Sequence, residues 1–74
     1  MTETMQQSLS LTVNGETQTV SSGTTIAGLL SDLGIEGQKV AVEHNRAIAP
    51  RSQFAAITLK QGDALEIVRF VGGG

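Results

Sequence analysis

The sequence predicts a small α+β domain in which one helix packs on one face of a mixed sheet of four or five strands. Two observations carry this prediction. Apolar and polar residues alternate around an Asn-Gly pair near the start of the chain, which is typical of a β-hairpin. The next segment instead repeats its apolar residues at helical spacing, and further strand-like segments follow it. With 74 residues and 39% hydrophobic residues, the chain is long enough for one domain with a modest core.

The first predicted element is the hairpin. Alternation over 8–13 indicates a strand with one buried face. Asn14 and Gly15 are the preferred pair for a two-residue type I′ turn, because both positions take a positive φ. The second strand then returns over 16–20. The apolar face of the first strand holds Leu9, Leu11 and Val13.

A helix is predicted after the hairpin. Either Thr24 or Thr25 supplies the hydroxyl of its N-cap, and Gly34 stands where a left-handed C-terminal cap is expected. Gly28 within the helix costs about 1 kcal/mol relative to Ala. A close approach of the helix to the sheet is one reason for a glycine there. The apolar stripe of the helix consists of Ile26, Leu29, Leu30 and Leu33.

Three further strands are predicted in the second half of the chain. The segment 39–44 alternates, and a short strand around Ile48 ends at Pro50, which cannot donate to a β-ladder. A turn over 60–63 precedes the last strand, 64–71. An irregular segment lies between the short strand and the last one, and we expect it to be anchored by Phe54, Ile57 and Leu59.

The order of these elements predicts the topology. A hairpin followed by a crossover helix places the helix across one face of the sheet, with right-handed connections preferred. The final strand then fills the centre of the sheet, parallel to the first strand. This is the ubiquitin-like β-grasp arrangement. We expect residues 8–71 to form the domain, 1–7 to be a disordered N-terminal extension and 72–74 to be a flexible C-terminal tail.

Composition argues against several classes of function. The net charge is −2 and the five Lys and Arg residues are scattered, so no nucleic-acid partner is expected. No apolar run approaches the length of a membrane span, so no membrane partner is expected either. The first residues lack a secretory signal, which favours a cytoplasmic location. Without cysteine, thiolate metal sites and Fe–S clusters are excluded, and His44 is at most one ligand, so no metal or cofactor is expected. A core this small leaves little room for a substrate cleft, so we expect no catalytic residues.

Because one helix covers only one face of the sheet, the other face is expected to be open. Val68 and Phe70 alternate away from the buried positions of the last strand, which places them on the open face with Ile48 nearby. Together with Val71 they form an expected partner-binding patch, since exposed apolar patches mark interaction surfaces. The alternative is that Phe70 folds over the edge of the sheet.

The final glycines follow the last strand without a linker. Glycine adopts any φ and has no Cβ, so Gly72 and Gly73 are suited to thread into a partner enzyme and expose the carboxylate of Gly74. A free carboxylate is a poor electrophile, but an acyl adenylate carries a leaving group that sulfide can displace, which yields a thiocarboxylate. The four residues 71–74 span at most about 13–14 Å, enough to enter a pocket. The alternative is an idle tail or a cloning remnant.

Three segments carry a resemblance to a known family: VNGE at 13–16, VAVEHNRAIAPRSQF at 40–54 and LKQGDALEIVRFVGGG at 59–74. Together they resemble the small sulfur carrier proteins of bacterial thiamine biosynthesis over most of the chain. The resemblance implies that Gly74 is adenylated by an E1-like, ATP-using enzyme and becomes a thiocarboxylate, with sulfur relayed from cysteine through a desulfurase. It also implies that thiazole synthase receives this sulfur to build the thiazole ring of thiamine.

Several alternatives stay open at this point. The carrier for molybdopterin synthesis shares the fold and tail, but its family usually has an aromatic and proline-rich approach to the Gly-Gly end, whereas this chain has EIVRFV. A carrier for another sulfur metabolite is a second alternative. A ubiquitin-like protein modifier would use the same adenylate to form isopeptide bonds. A β-grasp interaction module with an inert tail is the last.

Overall fold

The computed structural model describes residues 7–70 of the chain. Short 3₁₀ turns occupy Gly37–Lys39 and Arg51–Gln53. Predictions that concern residues 1–6 lie outside the described residues, as do the predicted site residues Val71, Gly72, Gly73 and Gly74. In chain order the main elements are β1 (Ser8–Val13), β2 (Glu16–Ser21), α1 (Ile26–Asp32), β3 (Val40–His44), β4 (Ala47–Ala49) and β5 (Ala64–Arg69).

The strands form one five-stranded sheet in the order β2-β1-β5-β3-β4. The last strand therefore lies in the centre, as predicted. It runs parallel to β1, with Thr12 opposite Ala64, and antiparallel to β3, with Val42 opposite Ile67. The predicted β-grasp fold is confirmed. The central strand β5 is the last element of this fold, so the remaining residues of the chain follow directly from its end.

Asn14 joins the hairpin turn to the central strand. It has a φ of 53° and Gly15 a φ of 85°, which confirms the predicted turn with two positive φ angles. In addition, the Asn14 side chain accepts a hydrogen bond from the N–H of Ile67 at 2.7 Å and donates to its carbonyl at 3.2 Å. The turn residue thus continues the pairing between β1 and β5 beyond the last residue of β1.

The helix has the predicted caps at both ends, but only three of the four predicted stripe residues are buried. Thr25 is the N-cap, and its hydroxyl accepts a hydrogen bond from the N–H of Gly28 at 3.1 Å. Gly34 follows the helix with a φ of 74°. Leu33, predicted to belong to the buried stripe, is the C-cap residue and is 37% exposed. The helix stops one residue before Leu33, so this side chain is not held against the sheet.

The core lies between α1 and the face of the sheet that the helix covers. Leu9 points to this face but is only partly buried, because it lies near the start of β1. Phe54 and Leu59 anchor the segment between β4 and β5, as predicted, and Ile57 packs against the core. The buried apolar residues are Leu11, Val13, Ile26, Leu29, Leu30, Val40, Val42, Ala49, Phe54, Leu59, Leu65 and Ile67.

Gly28 is not explained by a close approach of the helix to the sheet, so that suggestion is wrong. A Cβ at this position would meet Thr24 Cγ2 at 3.4 Å and Thr25 Oγ1 at 3.5 Å, and both atoms belong to the helix start itself. These are ordinary van der Waals distances. The structure therefore has room for a side chain the size of alanine.

We predict that Gly28→Ala raises the free energy of unfolding by about 0.5–1 kcal/mol, because alanine loses less backbone entropy in a helix. Urea unfolding followed by circular dichroism measures this change. Gly34→Ala is the matched control, since its φ of 74° strains any L-residue; we expect it to lower the free energy of unfolding by about 1 kcal/mol. A destabilising Gly28→Ala substitution would contradict the prediction.

Candidate functional site

The open face of the sheet carries three exposed apolar side chains. Ile48 is 67% exposed, Val68 is 60% exposed and Phe70 is 57% exposed. This confirms that the three predicted patch residues lie outside the core. More than half of Phe70 stays accessible, so it is not buried over the sheet edge. Val71, the fourth predicted patch residue, lies outside the described residues.

Strand register places two carboxylates beside this patch. Glu43 of β3 stands opposite Glu66 of β5, and on its other side it stands opposite Ile48 of β4. Val68 lies one row nearer the end of β5, opposite Ala41. Both glutamates are exposed, and like charges directly opposite one another weaken a sheet slightly. The acidic pair therefore borders the patch on the side away from Phe70, and Ile48 and Phe70 still line a common groove.

The end of β5 is held beside the turn that precedes β3. The N–H of Phe70 donates a hydrogen bond to the carbonyl of Lys39 at 3.0 Å. A shallow groove of about 220 Å³ runs along this contact, and Glu36, Lys39, Arg69 and Phe70 contribute to its walls. Residues 71–74 continue the chain from this point, so the predicted tail residues Gly72, Gly73 and Gly74 are attached here.

A second groove lies on the other side of Phe70. It has a volume of about 170 Å³, and Ile48, Arg51, Phe54 and Phe70 line part of it. Arg51 is held in place by its guanidinium, which donates from Nε to the carbonyl of Gly37 at 3.1 Å. Phe70 is therefore a wall shared by two grooves at the end where the tail is attached.

The opposite end of β5 contains a polar network around Asp63, which is 7% exposed. One carboxylate oxygen lies 2.8 Å from His44 Nε2 and accepts the N–H of Lys60 at 2.9 Å. The other oxygen accepts from Asn45 Nδ2 at 3.1 Å, and Asn45 in turn accepts the N–H of Ala64 at 2.9 Å. The network ties the β3–β4 turn to the start of β5.

Opposing effects act on the pKa of Asp63. Burial alone would raise it, because desolvation disfavours the carboxylate. Hydrogen bonds from His44, Asn45 and the Lys60 N–H favour the charged form and bring the pKa below its ordinary value. Every buried side-chain polar atom among the described residues has a hydrogen-bond partner. His44 and Asp63 are thus accounted for as structural groups.

Neither a metal site nor a membrane helix is found in the part of the chain that the structure describes. Over residues 7–70, no three His, Asp or Glu side chains come together in a way that could hold a metal ion. Over the same residues, no helix is both long enough and apolar enough to span a bilayer.

Comparison with known proteins identifies the family. The family model of ThiS matches residues 9–74. The chain belongs to the ThiS family. The family match confirms the resemblance, and it covers the whole described domain from β1 onward.

Individual relatives agree with the family match. The chain is 40% identical over 50 residues to the sulfur carrier protein ThiS of Bacillus subtilis, covering 68% of this chain and 76% of that protein. It also matches the crystal structure of a thiamine biosynthesis protein, ThiS, from Geobacter metallireducens. That match has a TM-score of 0.77 and 40% identity, and it covers 89% of this chain and 100% of that chain.

Two relatives that are longer than this chain each contain a segment similar to it. The chain is 46% identical over 66 residues to a thiazole synthase of Paramagnetospirillum magneticum, covering 89% of this chain and 20% of that protein. A thiazole synthase of Magnetococcus marinus is 45% identical over 62 residues, covering 84% of this chain and 19% of that protein. The chain therefore spans about a fifth of the length of these two relatives.

Proposed function

We propose that this ThiS-family protein carries sulfur as a thiocarboxylate on Gly74 and donates it for formation of the thiazole ring of thiamine. The observation that carries the proposal is the position of the end of β5. The central strand β5 ends beside the exposed Phe70, and four residues, ending in Gly72–Gly74, follow from there. The family match extends through these residues. The described domain thus ends at an exposed apolar surface, and a glycine-rich segment follows it in the sequence.

The chemistry takes place at the terminal carboxyl group. A carboxylate oxygen of Gly74 attacks the α-phosphate of ATP, so pyrophosphate leaves and an acyl adenylate forms. Sulfide then attacks the acyl carbon, the bond to AMP breaks, and the thiocarboxylate remains. Where the sulfur arrives instead as a desulfurase persulfide, its attack gives an acyl disulfide, and a thiol must reduce the S–S bond, forming a disulfide itself, to release the thiocarboxylate. We propose that an E1-like adenylating enzyme catalyses the first step and that a cysteine desulfurase relays the sulfur. The carrier is then a protein substrate rather than an enzyme, and the partner enzymes provide the catalytic groups.

Thiazole synthase is the proposed acceptor of the sulfur. The two thiazole synthases that contain a segment similar to this chain support this choice, because fused segments often act in one reaction sequence. A cytoplasmic location belongs to the same proposal, since thiolates and desulfurases operate in a reducing compartment.

The open face gives these partners a surface to bind. Ordering a glycine-rich tail in an enzyme channel costs backbone entropy, about 1–2 kcal/mol per residue. Burial of apolar side chains can offset this cost at about 25 cal/mol per Å². Phe70, Val68 and Ile48 are the exposed apolar residues placed to do so, and Phe70 lies next to the tail.

Intact-mass spectrometry tests the proposal. The purified chain is incubated with the E1-like enzyme, ATP and a sulfide source, and we expect its mass to rise by the difference between sulfur and oxygen. Adding thiazole synthase with its substrates should return the mass to that of the carboxylate. A chain that lacks Gly74 retains Gly73 as its terminal residue and tests whether tail length matters; we expect little conversion of this variant. An unchanged mass of the full chain with active partner enzymes would contradict the proposal.

A further inference from the structure

Three of the five cationic side chains of the sequence lie around the point where the chain leaves β5. We call Lys39, Arg51 and Arg69 the cationic collar. Lys39 and Arg69 line the groove on one side of Phe70, and Arg51 lines the groove on its other side. The collar therefore surrounds the attachment point of residues 71–74 rather than one face of the sheet.

Backbone contacts hold the collar in place. The carbonyl of Lys39 accepts the N–H of Phe70 at 3.0 Å, which fixes the Lys39 backbone beside the end of β5. Arg51 donates to the carbonyls of Gly37 at 3.1 Å and Gln38 at 3.4 Å, so its guanidinium lies against the same turn. Arg69 is the last residue of β5 and stands opposite Val40 in the sheet. These contacts fix the backbones of Lys39 and Arg69 and the guanidinium of Arg51.

The collar contrasts with the rest of the protein. The chain has a net charge of −2, and its other two cations, Arg46 and Lys60, belong to turns at the far end of β5 and β3. Within the collar, Lys39 has an acidic neighbour, Glu36, with Nζ and Oε1 3.4 Å apart. Both of these side chains are well exposed, so water screens this pair strongly. Three cations and one carboxylate, Glu36, thus line the two grooves beside Phe70, so this end of β5 is locally positive on a chain whose net charge is negative.

We infer that the cationic collar docks against a ring of carboxylates at the mouth of the channel that receives the tail on the adenylating enzyme. This inference rests on the function proposed above. The partner is a protein surface rather than a nucleotide, because four residues separate Phe70 from the reacting carboxyl group. Fully extended, these residues span at most about 13–14 Å, so the reacting carboxyl group can lie up to that distance beyond the collar, which would then face the rim of the channel.

Charge at the rim acts on the rate of association. Complementary charges orient two proteins before contact, and the effect falls as salt shortens the Debye length. The collar would point the tail at the channel during diffusional approach, and the apolar patch beside it would then complete the complex. Loss of the collar is expected to slow binding more than it slows the chemical step.

A double substitution tests the inference. Lys39→Gln with Arg69→Gln removes two collar charges, and Arg46→Gln with Lys60→Gln removes two charges at the far end as a matched control. The association rate with the E1-like adenylating enzyme of the same organism is measured by stopped-flow fluorescence. At about 20 mM salt we expect the collar variant to associate about tenfold more slowly and the control to stay within about twofold. At about 300 mM salt the difference should largely disappear.

The outcomes separate the inference from the function on which it rests. Equal slowing of both double variants would show an effect of net charge and would overturn the inference that the collar docks against carboxylates. Unchanged or faster association of the collar variant would also overturn it. A higher KM for ATP, with the KM for the carrier unchanged, would assign the cations to the nucleotide and likewise overturn it. If the unsubstituted chain supports no ATP–pyrophosphate exchange, the proposed function itself fails.

Discussion

Phe70→Asp is expected to weaken binding of the chain to the proposed adenylating enzyme by about 30-fold or more, because it would bury a charge in an apolar contact. Phe70 is 57% exposed, lies beside the attachment point of the tail and forms a wall of two grooves. In the complex proposed above, a side chain in this position would be desolvated when the tail enters the channel of the partner enzyme. We expect the substitution to leave the fold intact, because Phe70 is exposed and is not part of the buried core.

Isothermal titration calorimetry measures the affinity, and two variants serve as controls. Thr17→Asp introduces the same charge on the open face, but on the edge strand β2, away from the apolar patch. We expect its affinity to stay within about threefold of the original, as rim positions contribute little. Phe70→Leu keeps an apolar side chain and should retain most of the affinity. Equal losses for Thr17→Asp and Phe70→Asp, or no loss for either, would contradict a specific role for Phe70.

Asp63→Asn is expected to lower the free energy of unfolding at neutral pH by about 2–3 kcal/mol, because it leaves buried donors without an acceptor. One oxygen of Asp63 accepts from the Lys60 N–H and lies 2.8 Å from His44 Nε2. An amide nitrogen at that position would face the Lys60 N–H as a second donor. The other oxygen could still serve Asn45, so the loss is partial and the variant should fold.

The pH dependence of this effect follows from the lowered pKa of Asp63. A group whose pKa is lower in the folded state contributes stability that is fully present above its unfolded pKa, about 4 for Asp. That contribution is lost as the pH falls through the folded value. We therefore expect the difference in unfolding free energy between the original chain and Asp63→Asn to shrink as the pH is lowered below about 4.

Chemical denaturation at a series of pH values provides the measurement. Asp32→Asn is the matched control. It makes the same chemical change, but Asp32 is exposed at the end of the helix and is not part of the Asp63 network. We expect this control to change the free energy of unfolding by less than about 0.5 kcal/mol at neutral pH. We also expect it to lose stability in acid as the original chain does. A constant difference between the original chain and Asp63→Asn across the acid range would contradict the prediction.

Local chemistry was sufficient for most of the fold. The period of two in β1, the Asn-Gly pair and the caps of the helix involve residues within a few positions of one another, so each is readable without knowledge of the rest of the chain. The same holds for the exposed positions Val68 and Phe70, which follow from strand alternation. Leu33 shows the limit of this reasoning, because helical spacing does not reveal that the helix ends at Asp32.

The features around the site depend instead on pairings between distant residues. Asn14 bonds to Ile67, which is 53 positions away, and Asn45 bonds to Asp63, which is 18 positions away. Glu43 faces Glu66 only because β3 and β5 pair in one particular register. Alternation indicates the face on which a residue lies, but not its cross-strand neighbour, since a different register would pair different side chains.

The chain itself thus encodes which segments become strands and helix, which side chains avoid water, and a glycine-rich end that follows the last strand. Those properties come from short-range backbone and solvation preferences. Packing of β5 between β1 and β3 decided the rest: the acidic pair that borders the patch, the buried Asp63 network, and the gathering of Lys39, Arg51 and Arg69 around the end of β5. These groups come together only when long stretches of chain close on one another, and no local preference specifies that closure.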